Sequence, residues 1–408
     1  MMRISLLSLL LLIVNCSSQE DFVIKELNSP TGDNASLPRL FTDNTGTVFM
    51  SWVETKKDTS SLFYATLTDD VWSEPEFIGS STSWFVNWAD YPSIIGKDGK
   101  ALAAHWLKKV EGGTYAYNVE ITSLKDNWSA PVTPHNDNTP TEHGFVSMVP
   151  ASDSTFLSIW LDGRNTGGHG GNEEDDKADH STTMSNAMTL RSAFLDMDLN
   201  IIDQFEIDNS VCDCCGTAAV RTQNGFITAF RNRTDNEIRD IYISKFENGS
   251  WSESIPVSND NWEIAACPVN GPAIASKNNT VAVAWYTGAN QTEHVKVAFS
   301  FDEGHSFEQA YIVDNGSPLG RVDIEMLTDK KMLVSWLERN IEDRSKADFV
   351  AKTVSTNGEI LNEYRISSMS SSRRSGFPQL SSYNNKIIAA WTDLEDRTNS
   401  SVKTAIFE

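Results

Sequence analysis

Four cysteines hold the most concentrated chemistry in this sequence once the N-terminal leader is set aside. Cys212, Cys214 and Cys215 fall within Val211–Val220, VCDCCGTAAV, and Cys267 follows in AACPVNGPA. In an oxidising compartment four cysteines usually pair, in one of three ways. Cys214 and Cys215 point to opposite sides of an extended backbone, so a link from Cys267 to one of the other three would staple two successive structural units. A metal centre is the alternative: four thiolates, or three with His143, would select zinc or copper, because soft sulfur ligands favour those ions. Cys-x-Cys-Cys is not the usual knuckle spacing of structural zinc, and a redox or nucleophilic thiol is the third reading.

The 408 residues carry 56 acidic and 33 basic side chains, a formal net charge of -23. No basic stretch offsets it, so nucleic acid and anionic membrane surfaces are repelled, and an anionic ligand would need a local arginine cluster. Arg3 followed by the apolar run Ile4–Val14 reads as an export signal, too short to span a bilayer as a permanent helix. Leu12–Cys16, LIVNC, resembles the processing box of bacterial lipoproteins, in which the cysteine becomes the lipidated first residue. On that reading 1–15 is the signal peptide, 16–21 a lipid-anchored tether and 22–408 a single domain. The protein is then exported, attached through Cys16 to the outer membrane or cell surface, touches membrane only through that anchor, and is expected to be a monomer. Asn15 stands where a small residue is usual, which keeps ordinary secretion as the alternative.

The elements that must position the cysteines announce themselves as a repeat. An apolar run ending in an aromatic and a polar cluster returns at Trp52, Trp106, Trp160, Phe230, Trp285, Trp336 and Trp391, at intervals of 54, 54, 70, 55, 51 and 55 residues. A period in that range, built of short alternating strands and turn residues, predicts an all-β fold, a seven-bladed β-propeller, with six blades as the alternative. Only the third interval is long, and its excess is the Gly- and acid-rich segment 165–186, which contains His169 and His180 and reads as a surface loop or lid. Blade 4 parses as TAAVRT, FITAFRN, IRDIYISKF and a stretch around SIPVS. The last unit has only FPQLSSY, IIAAWTDL and VKTAIF, so Phe22–Leu27 is expected to supply its outer strand and close the ring. The repeat tryptophans are core residues.

A second signal, Ser300-Phe301-Asp302-Glu303-Gly304-His305-Ser306-Phe307, lies between two strands and has weaker echoes at VWSEPEF, NWSAPV and GSWSESIPV. It resembles the Asp-box, S-x-D-x-G-x-x-W/F, of the sialidase-like (BNR) propellers. The motif is a folding device and is silent on catalysis. The resemblance implies an enzyme that removes terminal sialic acid with an arginine triad, a tyrosine nucleophile activated by glutamate, and an aspartic acid/base. Such enzymes usually have six blades, and cysteines at the channel mouth are no part of their pattern.

Propeller connectivity brings the segments before innermost strands and after second strands to one face, around the central channel. That funnel, with acids, arginines and aromatic walls, is the default site. Arg164, Arg233 and Arg321 are the expected anion clamp, since guanidinium pairs bidentately with carboxylate or sulfate. Asp162, Trp88 and Asn270 complete the ligand-binding set. By the resemblance Asp90 is the candidate acid, Tyr286 or Tyr91 the nucleophile, and Glu142 a further catalytic carboxyl. Plainer readings stand beside these: an arginine after a strand often pairs with a neighbouring carboxylate, as Arg239 and Arg339 would, and the aromatics Trp84, Phe85 and Trp88 pack between blades. Three functions follow: a surface lipoprotein that binds and hydrolyses an anionic glycan or other small anion, a Cys/His metal or redox propeller, or an interaction scaffold stiffened by disulfides.

Overall fold

Every recurrent aromatic lies on the second strand of its unit and faces a neighbouring sheet. Trp52, Phe230 and Trp336 are 0% exposed, and the other four are also buried. A buried indole N–H needs an acceptor, and the sequence supplies one two residues on: Trp52 donates to Glu54 at 2.8 Å, Trp160 to Asp162 at 2.8 Å and Trp336 to Glu338 at 2.6 Å. The acid after the tryptophan is therefore a structural partner in these three blades.

The computed structural model describes residues 22–167, 186–394, 396 and 399–408. Seven antiparallel sheets form a seven-bladed β-propeller, whose innermost strands are Ala35–Thr42, Ser93–Lys97, His143–Pro150, Ala218–Arg221, Ala273–Lys277, Pro318–Thr328 and Gln379–Tyr383. In blade 7, Ile24–Leu27 pairs antiparallel with Ser400–Phe407, with Ile24 opposite Phe407 and Leu27 opposite Thr404. Blade 2 departs from four strands. Its outer strand shrinks to single bridges, Val132 to Ile121 and Trp128 to Leu124, because Pro131 and Pro134 cannot donate to a ladder. Two short 3-10 turns, Ala289–Gln291 and Arg373–Ser375, interrupt the strands, and among the described residues no helix is long and apolar enough to cross a membrane. The segment with His169 and His180 lies outside the described residues.

The 300–307 hairpin is tied by its own side chains. Ser300 donates to Asp302 at 2.7 Å, the Gly304 N–H to Ser300 at 2.8 Å and the Ser306 N–H to Asp302 at 2.9 Å, while Phe307 packs on the cluster containing Ile227 and Val281.

Three innermost strands carry a bulge with a left-handed residue other than glycine: Leu37 (φ 56), Phe145 (φ 54) and Arg321 (φ 58). Each amide leaves the ladder and donates to the preceding blade: Leu37 to Thr392 Oγ1 at 2.9 Å, Phe145 to Asp90 Oδ1 at 2.8 Å and Arg321 to Asn270 Oδ1 at 2.8 Å. Gly144 and Gly320 stand immediately before two of these residues for a steric reason. A Cβ would lie 2.1 Å from Asp90 Oδ2 in the first case and 2.4 Å from Asn270 Oδ1 in the second. Asp90 and Asn270 thus clamp one blade to the next.

Deleting residues 22–27 should leave Phe407 uncovered and blade 7 one strand short. At about 1.5–3 kcal/mol for each fully buried large apolar side chain, the loss of Phe22, Ile24 and Leu27, all partly buried, should cost roughly 3–5 kcal/mol. Urea midpoints of chains beginning at residues 22 and 28 measure it, and equal midpoints would show that closure adds nothing.

Candidate functional site

The innermost strands of five blades, with Ala89 and Tyr91 ahead of the innermost strand of blade 2, line an axial cavity of about 110 Å³, whose polar walls are Arg39, Tyr91, Thr217, Asp323 and Gln379. A larger hollow of about 530 Å³ lies at the seam beside the closing strand, between segments 26–34 and 399–404, away from these groups. Arg39 donates to Gln379 at 2.7 Å with its guanidinium 5.9 Å from the Tyr91 ring centre.

Asp90 has a second role beside its clamp. Its Oδ2 accepts from the Tyr117 hydroxyl at 3.0 Å, and that hydroxyl also lies 2.5 Å from Glu142 Oε1. A phenol has one proton to give, so two hydrogen bonds to two carboxyls require that one carboxyl be protonated. Burial supplies the cause, pushing Asp90 up to about 7 and holding Glu142 and Tyr117 well above their ordinary values. The charges of Asp90, then of Asp213 and Cys267, also raise Glu142. Tyr117 is sealed beneath Phe85, with ring centres 4.2 Å apart.

The three arginines of the expected clamp have separate surroundings. Arg164 grips Asp162 with two bonds of 2.7 and 2.8 Å and lies 3.7 Å from Asp137. Arg233 holds Glu237 at 2.6 Å and Asp213 at 3.2 Å. Arg321 meets neutral acceptors instead: its Nη1 donates to Ser375 Oγ at 2.8 Å and to the carbonyls of Gly376 and Ser372 at 3.1 and 3.2 Å. Its guanidinium stands 5.1 Å from the Trp88 ring centre, and Arg373 stands 5.7 Å from the same ring. Burial, then the repulsion of Arg373, lowers Arg321 to about 10. Trp88 stacks in turn on Phe377.

Tyr286 donates to Glu293 at 2.7 Å, and Glu293 is paired with Arg339; burial and Glu293 hold the phenol above its usual range. Asp162 is fully buried and holds Trp160 and Arg164. His143 is grouped with His135 and Asp137, apart from the sulfurs. The two imidazoles stack at 3.8 Å, and Asp137 accepts from His135 at 2.9 Å and His143 at 3.1 Å. Burial favours the protonated carboxyl of Asp137, but those histidines and Thr139 outweigh it and lower its pKa.

At the start of blade 4, the sulfurs of Cys212, Cys214 and Cys215 lie within 4.8 Å of one another. Cys212 is 3.9 Å from Cys214 and 2.7 Å from Cys215, and Arg239 Nη1 donates to the Cys212 sulfur at 3.5 Å. Cys267, from the segment leading into blade 5, is exposed, and the Cys214 thiol lowers its pKa. Burial raises the Cys212 thiol, but hydrogen bonds from Cys214 and Cys215 and the Arg239 charge prevail and hold it well below the usual range.

Tyr117, His135, Asp137, Arg39 and Arg373 escaped the sequence reading. The run His135-Asn136-Asp137 ahead of His143 signals a polar cluster, and an arginine inside the apolar strand LPRLF signals a channel-facing charge. Nothing marks Tyr117, which occupies an ordinary third-strand core position.

Fold and face together define a seven-bladed propeller with a charged axial mouth. No protein-family model matches the sequence, and no curated protein is significantly similar to it. Solved structures similar to it include sialidase- and neuraminidase-like propellers. The chain aligns with the Hadza microbial sialidase Hz136 at 11% identity and a TM-score of 0.43, covering 74% of this chain and 63% of that one. With the neuraminidase-like protein from A/bat/Guatemala/164/2009 the values are 12%, 0.44, 95% and 94%, and with a thermostable family-43 glycoside hydrolase 9%, 0.39, 72% and 97%.

Asp90 gives a test of the buried carboxyl pair. Its folded pKa lies above the unfolded one, so its contribution is fully present below about pH 4 and is lost as pH rises through about 7. Asp90→Asn keeps an acceptor for Phe145 and removes the titration. Chemical denaturation from pH 4 to 8 should show stability falling less steeply in the variant, by up to roughly 4 kcal/mol over the range. Parallel curves would mean that Asp90 is ionised throughout.

Proposed function

We propose that the protein is an extracytoplasmic propeller that binds an anionic glycan at the axial mouth, with Arg321 as the anchor for its carboxylate. The observation that carries this reading is the Arg321 guanidinium, 6% exposed and without a carboxylate partner among the described residues. A buried cation is costly unless paired, and in a chain of net charge -23 an arginine left without an acid is conspicuous. An incoming carboxylate would offset that cost and the repulsion from Arg373. Trp88, Phe377 and Tyr91 add aromatic surface beside it, and Glu142 adds a polar contact for hydroxyl groups. Export and anchoring through Cys16 belong to the same proposal, supported by the Arg3 leader and the LIVNC box.

Calorimetry with sialylated and uronic-acid oligosaccharides and their neutral counterparts tests it. The acidic ligands should bind and the neutral ones should not. Arg321→Ala should weaken binding at least about tenfold, near 1.4 kcal/mol, with Arg321→Lys intermediate. A folded protein that ignores the whole acidic panel sinks the reading, and turnover of a fluorogenic sialoside would replace binding with hydrolysis.

A further inference from the structure

We infer that the sulfur cluster of Cys212, Cys214 and Cys215, with the exposed Cys267 as its fourth donor, binds one thiophilic metal ion of the copper(I) or zinc class. This site is distinct in chemistry from the anion site and does not depend on it.

Convergence comes first. The sulfurs of Cys212, Cys214 and Cys215 all lie within 4.8 Å of one another, and Cys212 meets both of the others, Cys215 at 2.7 Å and Cys214 at 3.9 Å. Paired disulfides need each sulfur to meet one partner, whereas three sulfurs in mutual proximity are arranged as ligands around a common centre are. The donor set is all sulfur: the mutual set of three holds no imidazole or carboxylate, and the histidine set is separate. Such donors select soft cations over calcium, magnesium or manganese.

Spacing comes second. Two ligands at about 2.3 Å from one ion in a tetrahedron stand roughly 3.8 Å apart. Cys212 and Cys214 are already 3.9 Å apart. Cys212 and Cys215, at 2.7 Å, must separate by about 1 Å to share an ion.

The surroundings suit a bound thiolate centre. The Cys212 N–H is fixed on the Arg231 carbonyl at 2.9 Å, and Arg239 donates to the Cys212 sulfur while held by Glu237 at 2.8 Å. An oriented donor to a ligating sulfur tunes and steadies such a centre. Burial grades from Cys212 and Cys215, both buried, through the half-buried Cys214 to the exposed Cys267, which leaves a path for the ion from the channel mouth.

The full-length exported protein, isolated anaerobically, is loaded with copper(I) or zinc against a competing chelator, and bound metal is counted per chain. About one ion per chain is expected, with a raised melting temperature and, for copper, sulfur-only coordination in X-ray absorption. Cys214→Ser should abolish retention. Cys267→Ser, at the exposed position and safest for folding, should weaken it at least about tenfold. Two disulfides with no free thiol in the protein as exported overturn the inference, as does equal metal uptake by wild type and Cys267→Ser.

Discussion

A backbone amide that leaves its own sheet must find an acceptor, and in this propeller the acceptor belongs to the blade before. Near the axis, where innermost strands crowd together, Phe145 and Arg321 take left-handed conformations and turn their N–H groups onto Asp90 and Asn270. An unsatisfied buried N–H costs about 1–3 kcal/mol, so these contacts both demand the neighbouring blade and fix its position. The glycines before them leave the room that the side-chain oxygens occupy. The whole mouth is arranged on these points. The Arg321 side chain departs from a clamped residue, and the Asp90 carboxyl that holds Phe145 also receives Tyr117.

Charge at the mouth is largely spent internally. Arg164, Arg233, Arg239 and Arg339 each hold a carboxylate, and Arg231 is enclosed by the carbonyls of Asn270, Tyr286 and Arg239. The funnel is therefore much less cationic than its arginine content suggests. Arg321 and Arg373 instead flank the Trp88 ring.

The architecture was readable because it rests on patterns that repeat. The aromatic at the end of each second strand marks a blade, and the three-strand last unit called for Phe22–Leu27, of which Ile24–Leu27 forms the closing strand. The reduced outer strand of blade 2 was less plain, since NWSAPV resembles its counterparts and only the prolines tell against a ladder. At the mouth, the sequence indicated which residues share a face but not where their side chains end. Arg164 and Arg321 follow the same logic of position, yet one lies on Asp162 and the other on neutral carbonyls, a difference set by the turn after Trp160 and the bulge at Arg321. Tyr117 joined the carboxyls unannounced because third-strand residues ordinarily fill the core.

Blade 7 draws on both ends of the chain, and this governs when the molecule can be completed. Ile24–Leu27 has no sheet to join until Ser400–Phe407 has been made, more than three hundred residues later. During synthesis the first blade faces an open gap, and pairings so distant in sequence form slowly. A product that lacks Ser400–Phe407 therefore leaves both Ile24–Leu27 and Lys386–Leu394 without the strand that joins them.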